Sequence, residues 1–159
     1  MVRNTGGVIE SVEPARERPE AEMSARMARL RRRDTTPELA LRKELHHRGL
    51  RYRVQYPVPT ASRRTIDIAF TRLRLAVFLD GCFWHGCPDH GTRPTTNSEW
   101  WRWKLDRNRA RDVDTTALLE EAGWTVLRIW EHVPTPEAAA RVARAVTRIR
   151  GRSRPVRDT

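Results

Sequence analysis

Residues 63–80, RRTIDIAFTRLRLAVFLD, decide the fold. Ile66, Ile68 and Phe70 alternate with Thr65, Asp67 and Ala69, the period of a strand with two unlike faces. Leu75-Ala76-Val77-Phe78-Leu79 is apolar without a break, as expected of a central strand buried on both sides. The link between these segments is short, so they read as an antiparallel hairpin. With Ile66 and Ile68 assigned to the core, Asp67 faces the other way.

Working outward, Tyr52, Val54 and Tyr56 alternate with Arg53 and Gln55 and make a strand before the hairpin. Earlier still, Thr36-Pro37-Glu38 is a helix start: a hydroxyl N-cap, proline at N1, and an acid facing the helix dipole. Leu41 and Leu45 lie one turn apart on that helix, and Gly49 is its C′ residue. On the other side, residues 80–97 form a Gly/Cys/His/Pro-rich loop. Asn97 or Ser98 caps a long helix to about Ala122, with Gly123 after it. WTVLRIW (124–130) is another apolar strand, and strand–helix–strand in this order predicts a parallel crossover. Thr135-Pro136-Glu137 opens a last helix bearing Ala139, Val142, Val146 and Ile149. The order α-β-β-β-α-β-α predicts an α/β fold, a mixed sheet flanked by helices. Residues 1–22 read as a disordered leader without chemistry, 23–34 as the start of the domain with a short basic helical stretch, and 151–159 as a basic tail. The domain is expected over 23–150.

The chain has 159 residues, room for one modest core. Its 31 Lys+Arg against 20 Asp+Glu give a formal net charge of +11. Such a charge suits a polyanion, nucleic acid first among them. Lys43 and Lys104 are the only lysines. An arginine-biased genome therefore accounts for part of the excess. No apolar run reaches the length of a membrane span and no signal-peptide core opens the chain, so a cytoplasmic location without membrane contact is the expectation.

Several residues could carry chemistry. Asp67 is a carboxylate in mid-strand, where it is either solvated, paired with Arg63 or Arg64, or functional. Asp80 ends the most apolar strand, directly before Gly81. It is either a turn residue or a second carboxylate, or backbone carbonyl, beside Asp67, and such oxygens are what Mg²⁺ takes. His85 could take a proton from an attacking water, or ligate zinc between the cysteines. Cys82-x4-Cys87-x2-His90, completed by His132, could hold one tetrahedral Zn²⁺; two free thiols and a transient disulfide are the alternatives. Phe83, Trp84, Trp100, Trp101 and Trp103 could wedge into a base stack. Trp100 and Trp103 share a helix face, so at least one is expected in the core. Lys104, Arg107, Arg109 and Arg111 could meet phosphates, or form a solvated face.

Together GCFWHGCP (81–88), WWRWKLDRNRARD (100–112), LLEEAGWTVLRIWE (118–131) and RRTIDIAF (63–70) resemble the very-short-patch repair (Vsr) endonucleases, over about residues 23–150. The resemblance implies a restriction-endonuclease-like core with a structural zinc site. It implies a Mg²⁺-dependent enzyme, acting as a monomer, that nicks one strand of double-stranded DNA beside a T:G mispair left by deamination of 5-methylcytosine. It also implies a link to a cytosine-5 DNA methyltransferase and to mismatch repair proteins. By resemblance Asp67 binds magnesium, His85 is the catalytic histidine, Asp112 supports it, and Glu38 helps organise metal and water. Cys82 and Cys87 match zinc cysteines, and Phe83, Trp84 and Trp101 the intercalating wedge. The sequence departs from the family pattern in places. Leu79 stands where a threonine can lend its carbonyl to magnesium, and Asp80 stands where some members have histidine. Gly86 interrupts a histidine cluster, and His132 takes the place of a final zinc cysteine. No lysine completes the general D…(D/E)-x-K nuclease motif, for which His85 is the substitute. A related nuclease with another DNA target, or a zinc-supported DNA-binding module without catalysis, are the competing expectations.

Overall fold

The structure is a computed structural model that describes residues 12–16, 34–92 and 94–152. The basic stretch expected over 23–34 lies outside the described residues except for Asp34, as do most of the leader and the tail from 153 onward. The elements follow the expected order: α1 (Thr36–His47), β1 (Arg53–Val58), β2 (Ala61–Phe70), β3 (Leu75–Asp80), α2 (Ser98–Glu121), β4 (Thr125–Trp130) and α3 (Thr135–Arg152). They build one sheet in the order β1-β2-β3-β4. The first two pairings are antiparallel, and β3 with β4 is parallel. The hairpin and the parallel crossover are therefore both present.

Helices cover both faces of the sheet. Leu41 and Leu45 of α1 and Ala138, Ala139, Val142 and Val146 of α3 pack on Ile68, Phe70, Leu75, Val77 and Ile129. On the other face Leu119 of α2 and Trp124 pack on Val58, Ile66, Ala69, Ala76 and Phe78. The unbroken apolar run of β3 thus serves both layers, as a doubly covered strand must.

Three local expectations are corrected. Ile66 and Ile68 do not share a core face: they belong to opposite clusters. Gln55, which falls opposite Asp67 in the β1–β2 register, is left-handed at φ 48°, and the ribbon coils there instead of keeping strict alternation. Neither Trp100 nor Trp103 enters a core cluster; both are half-buried. α1 begins at Thr36 with Thr35 at the N-cap and no side-chain capping bond, so Pro37 sits one place further in than expected. At the other ends, Gly49 (φ 76°) and Gly123 (φ 78°) stop α1 and α2 in the left-handed geometry that favours glycine.

Candidate active site

Sheet topology creates the site. β2 and β3 pair only from Ile68↔Val77 to Phe70↔Leu75. Beyond that point the strands part, and the amide of Leu79 donates to the Asp67 carboxylate at 3.0 Å instead of to backbone. Asp67 therefore sits in the fork between two strands. Among the described residues no arginine forms an ion pair with it: Arg64 reaches Asp114 at 2.6 Å and Thr115 at 3.0 Å, and Arg42 acts on it only through its charge. Burial raises the Asp67 carboxyl to about 6, against the pull of the Leu79 amide, and the charges of Glu38 and Asp80 push the same way. A carboxylate kept short of counter-charge inside a cleft is a good seat for a cation.

Glu38 is 4% exposed and faces the same space from α1. Arg42, one turn on, holds its carboxylate, and Gln55 donates to it at 3.4 Å. The Thr65 hydroxyl in turn donates to the Gln55 carbonyl at 3.0 Å. Sequence reading missed Arg42 and Gln55.

His85 lies on the turn after β3, its amide donating to the Gly81 carbonyl at 3.1 Å. Its Nδ1 is 2.5 Å from Asp112 Oδ2 on α2 and 3.8 Å from Asp80 Oδ1. Burial lowers the His85 pKa, but the Asp112 hydrogen bond and the charges of Asp80 and Asp112 outweigh it and leave the group raised. With Nδ1–H directed at Asp112, Nε2 is the nitrogen left to accept a proton. Asp67, Glu38, Leu79 and His85 line one cleft of about 700 Å³, together with Lys104 and Arg111.

The aromatic residues gather on the rim. Phe83 lies 5.0 Å from Trp84 and 5.1 Å from Trp101, with Trp84 and Trp101 6.2 Å apart. All three are half-buried. Asn108 of α2 donates to the Trp84 carbonyl at 3.0 Å and pins the loop. Gly86 turns the loop at φ 64°, the left-handed region that favours glycine, and a Cβ there would also displace the Arg109 side chain. Arg109 donates to the Gly86 carbonyl at 3.2 Å, so it serves the loop. Arg107 lies over the Trp103 ring at 4.9 Å. The part of the leader that is described reaches this region: Glu13 accepts from the Trp100 indole at 2.9 Å, and Arg16 lies 4.7 Å from that ring's centre.

Behind the loop, ligand-bearing atoms of Cys82, Cys87, His90 and His132 all lie within 4.8 Å of one another. Cys82 Sγ is 3.1 Å, and Cys87 Sγ 3.7 Å, from His132 Nδ1. Such spacings suit a tetrahedral ion with bonds of about 2.0–2.3 Å, and two thiols with two imidazoles are zinc donors by chemistry. His132 reaches the loop because β3 and β4 end together: Asp80 pairs with Trp130, the Glu131 amide donates to Asp80 O at 3.0 Å, and the Cys82 amide donates to Glu131 Oε1 at 2.7 Å.

Asn108, Glu131 and Arg128 were missed as well. Arg128 matters most here. It sits between Leu127 and Ile129 in β4 and bonds Asp80 at 2.7 Å. A lone guanidinium inside the apolar run WTVLRIW was the available signal.

An α/β sheet with Asp67 in a strand fork, and with His85, a Cys/His cluster and an aromatic rim gathered at that end, is consistent with a nuclease-type domain. Residues 18–90 match the family described as DNA mismatch endonuclease Vsr. The chain is 47% identical over 121 residues to the type II nicking enzyme V.NaeI of Lentzea aerocolonigenes, covering 75% of this chain and 73% of that one. It is 39% identical over 110 residues to V.XorIIP of Xanthomonas oryzae, 66% and 76% of the two chains. It is 34% identical over 112 residues to the DNA mismatch endonuclease Vsr of Escherichia coli, 70% of each. The protein belongs to the Vsr endonuclease family, and membership supports DNA endonuclease activity and a restriction-endonuclease-like core.

Proposed function

We propose that this protein is a DNA mismatch endonuclease that nicks one strand of a duplex beside a T:G mispair and so starts very-short-patch repair. The observation that carries the reading is the meeting of Asp67 and His85 on one cleft with the Phe83–Trp84–Trp101 rim above it. Asp67 and the Leu79 carbonyl would hold Mg²⁺, with Glu38 ordering its waters; the ion supplies Lewis-acid stabilisation of the charge that develops on the phosphate. His85 accepts the proton of the attacking water at Nε2, while Asp112 fixes the ring's tautomer and balances the imidazolium that forms. Lys104 and Arg111 bind the flanking backbone, joined by Arg107 where the duplex passes Trp103. The aromatic rim parts the stack where it is weakest, which is at a mispair. Cys82, Cys87, His90 and His132 would hold a structural Zn²⁺ that fixes the loop carrying Phe83, Trp84 and His85. The protein acts as a monomer in the cytoplasm, alongside a cytosine-5 methyltransferase and mismatch repair proteins. Among the described residues no helix is long and apolar enough to cross a membrane.

The test is a strand-resolved nicking assay on T:G, matched and methylated duplexes, with and without Mg²⁺. A cut on one strand of the T:G duplex only, lost in Asp67→Ala while binding persists, is the expected result. The type II nicking enzymes among the relatives favour a second reading, a nickase with another DNA target. Equal cutting of matched or methylated duplexes would establish that alternative and remove T:G selectivity.

A further inference from the structure

We infer that Arg128 is a positioning residue of the nicking site: it clamps Asp80 and Asp112 about the His85 imidazole, and Asp80 belongs to this clamp and not to the metal. The inference rests on the reading of His85 as the base.

Every nitrogen of the guanidinium is engaged. Nη1 meets Asp80 Oδ1 at 2.7 Å. Nη2 lies 3.5 Å from Asp112 Oδ1 and 3.4 Å from the Asp112 carbonyl. Nε donates to the Thr116 hydroxyl at 3.3 Å, and the group lies 4.6 Å from the centre of the Phe78 ring. One side chain, 24% exposed, thereby ties β3, β4 and α2 together. The same two acids face the histidine. Asp112 divides its oxygens, Oδ2 to His85 and Oδ1 to Arg128. Asp80 offers to His85, at 3.8 Å, the very oxygen that Arg128 binds.

Two consequences follow from charge and geometry. Asp80 is 7% exposed and Asp112 half-buried, so without a cation between them their repulsion would turn Asp112 away from Nδ1. A planar fork can bond two carboxylates at fixed angles, whereas an ammonium is a single point charge. Asp80, bound to an arginine, is also a poor partner for a divalent ion, whereas Asp67, without an ion pair among the described residues, is open to one. Arg128 does not line the cleft, so its effect on the reaction passes through His85.

The experiment compares wild type, His85→Ala, Arg128→Met, Arg128→Lys and the double variant Asp80→Asn/Arg128→Met. Single-turnover nicking and duplex affinity are measured on the best-cut duplex. General-base catalysis contributes about 10²–10⁴-fold, and losing its orientation is expected to remove roughly 10–100-fold from kcat in Arg128→Met with KM little changed. Arg128→Lys recovers part of the loss. The double variant, which removes the stranded charge as well, outperforms Arg128→Met. Imidazole ¹⁵N spectra at pH 8 give a readout independent of turnover: Nδ1 keeps its proton in wild type and in the double variant, and loses that preference in Arg128→Met. Wild-type turnover in a folded Arg128→Met, or an unchanged tautomer there, overturns the clamp. If His85→Ala nicks like wild type, the base assignment fails instead, and the spectra still decide whether Arg128 orders the ring.

Discussion

At Asp67 a side chain takes over from the backbone ladder. Its carboxylate satisfies the Leu79 amide where β2 and β3 separate, yet burial holds its pKa near 6 against an ordinary 3.8. The sign of the stability effect follows. Between those two values the folded state binds more protons than the unfolded one, so stability falls as pH rises through this window and stays lower above it. For this half-buried group the deficit amounts to ~2–3 kcal/mol in the absence of a cation. Asp67→Asn keeps an acceptor for Leu79 and removes the charge. In magnesium-free buffer at pH 7.5 it is expected to melt roughly 4–10 °C above wild type, to match wild type near pH 4, and to nick nothing. Thermal melts at the two pH values check this, and a variant that melts lower at pH 7.5 would show that the ionised carboxylate does not burden the fold.

At the scale of elements, the order and type of every helix and strand among the described residues were legible, because period and punctuation agree. The long apolar β3 run, Gly49 and Gly123 all mean in the structure what they mean in the sequence. What was not legible depends on contacts between elements. The coil at Gln55 that sends Ile66 and Ile68 to opposite layers has no local signature. Trp100 and Trp103 carry the spacing of a core face, but those rings meet Trp101, Arg107 and the leader instead of a core cluster. The Asp67–His85 pair was readable through its resemblance to a family; Arg128 left only one signal, a lone guanidinium in an apolar run, and arginine in a strand ordinarily reads as a solvated face. The loop after β3 carries a prediction of its own. Cys82 and His132 are 50 residues apart in sequence, so an ion joining them closes a long loop, a constraint worth about 2–4 kcal/mol by analogy with a disulfide. Purified protein is expected to contain one zinc per chain by metal analysis. Cys87→Ser is expected to lose it, to melt roughly 5–15 °C lower, and to shift the tryptophan emission of the Trp84–Trp101 pair. Metal-free protein with unchanged melting and emission would count against a structural ion.

Across the whole molecule, charge is the least discriminating feature of the sequence and the structure gives it direction. Net charge of +11 says only that a polyanion is attracted. In space two groups of basic residues stand at different ends of the sheet. Lys104 and Arg111 line the cleft of Asp67 and His85, and Arg102 and Arg109 line an adjoining hollow of about 250 Å³ beside Trp101. At the other end Arg51, Arg53, Arg72 and Arg150 line a hollow of about 670 Å³, and none of these four makes an ion pair among the described residues. Both ends contribute to long-range attraction, but only residues that touch phosphates release counterions on binding. Each such contact adds about 0.9 to the slope of log affinity against log salt concentration. If the duplex lies across the Asp67–His85 cleft, Lys104→Ala/Arg111→Ala lowers that slope by about 2, while Arg53→Ala/Arg72→Ala leaves it unchanged and weakens binding only slightly at low salt. Affinities of the three proteins for one duplex, measured between low and physiological salt, separate the two ends. A slope that falls in the Arg53/Arg72 variant and holds in the Lys104/Arg111 variant would place the DNA at the opposite end of the sheet, away from the cleft in which the Asp67 carboxylate and the His85 imidazole meet.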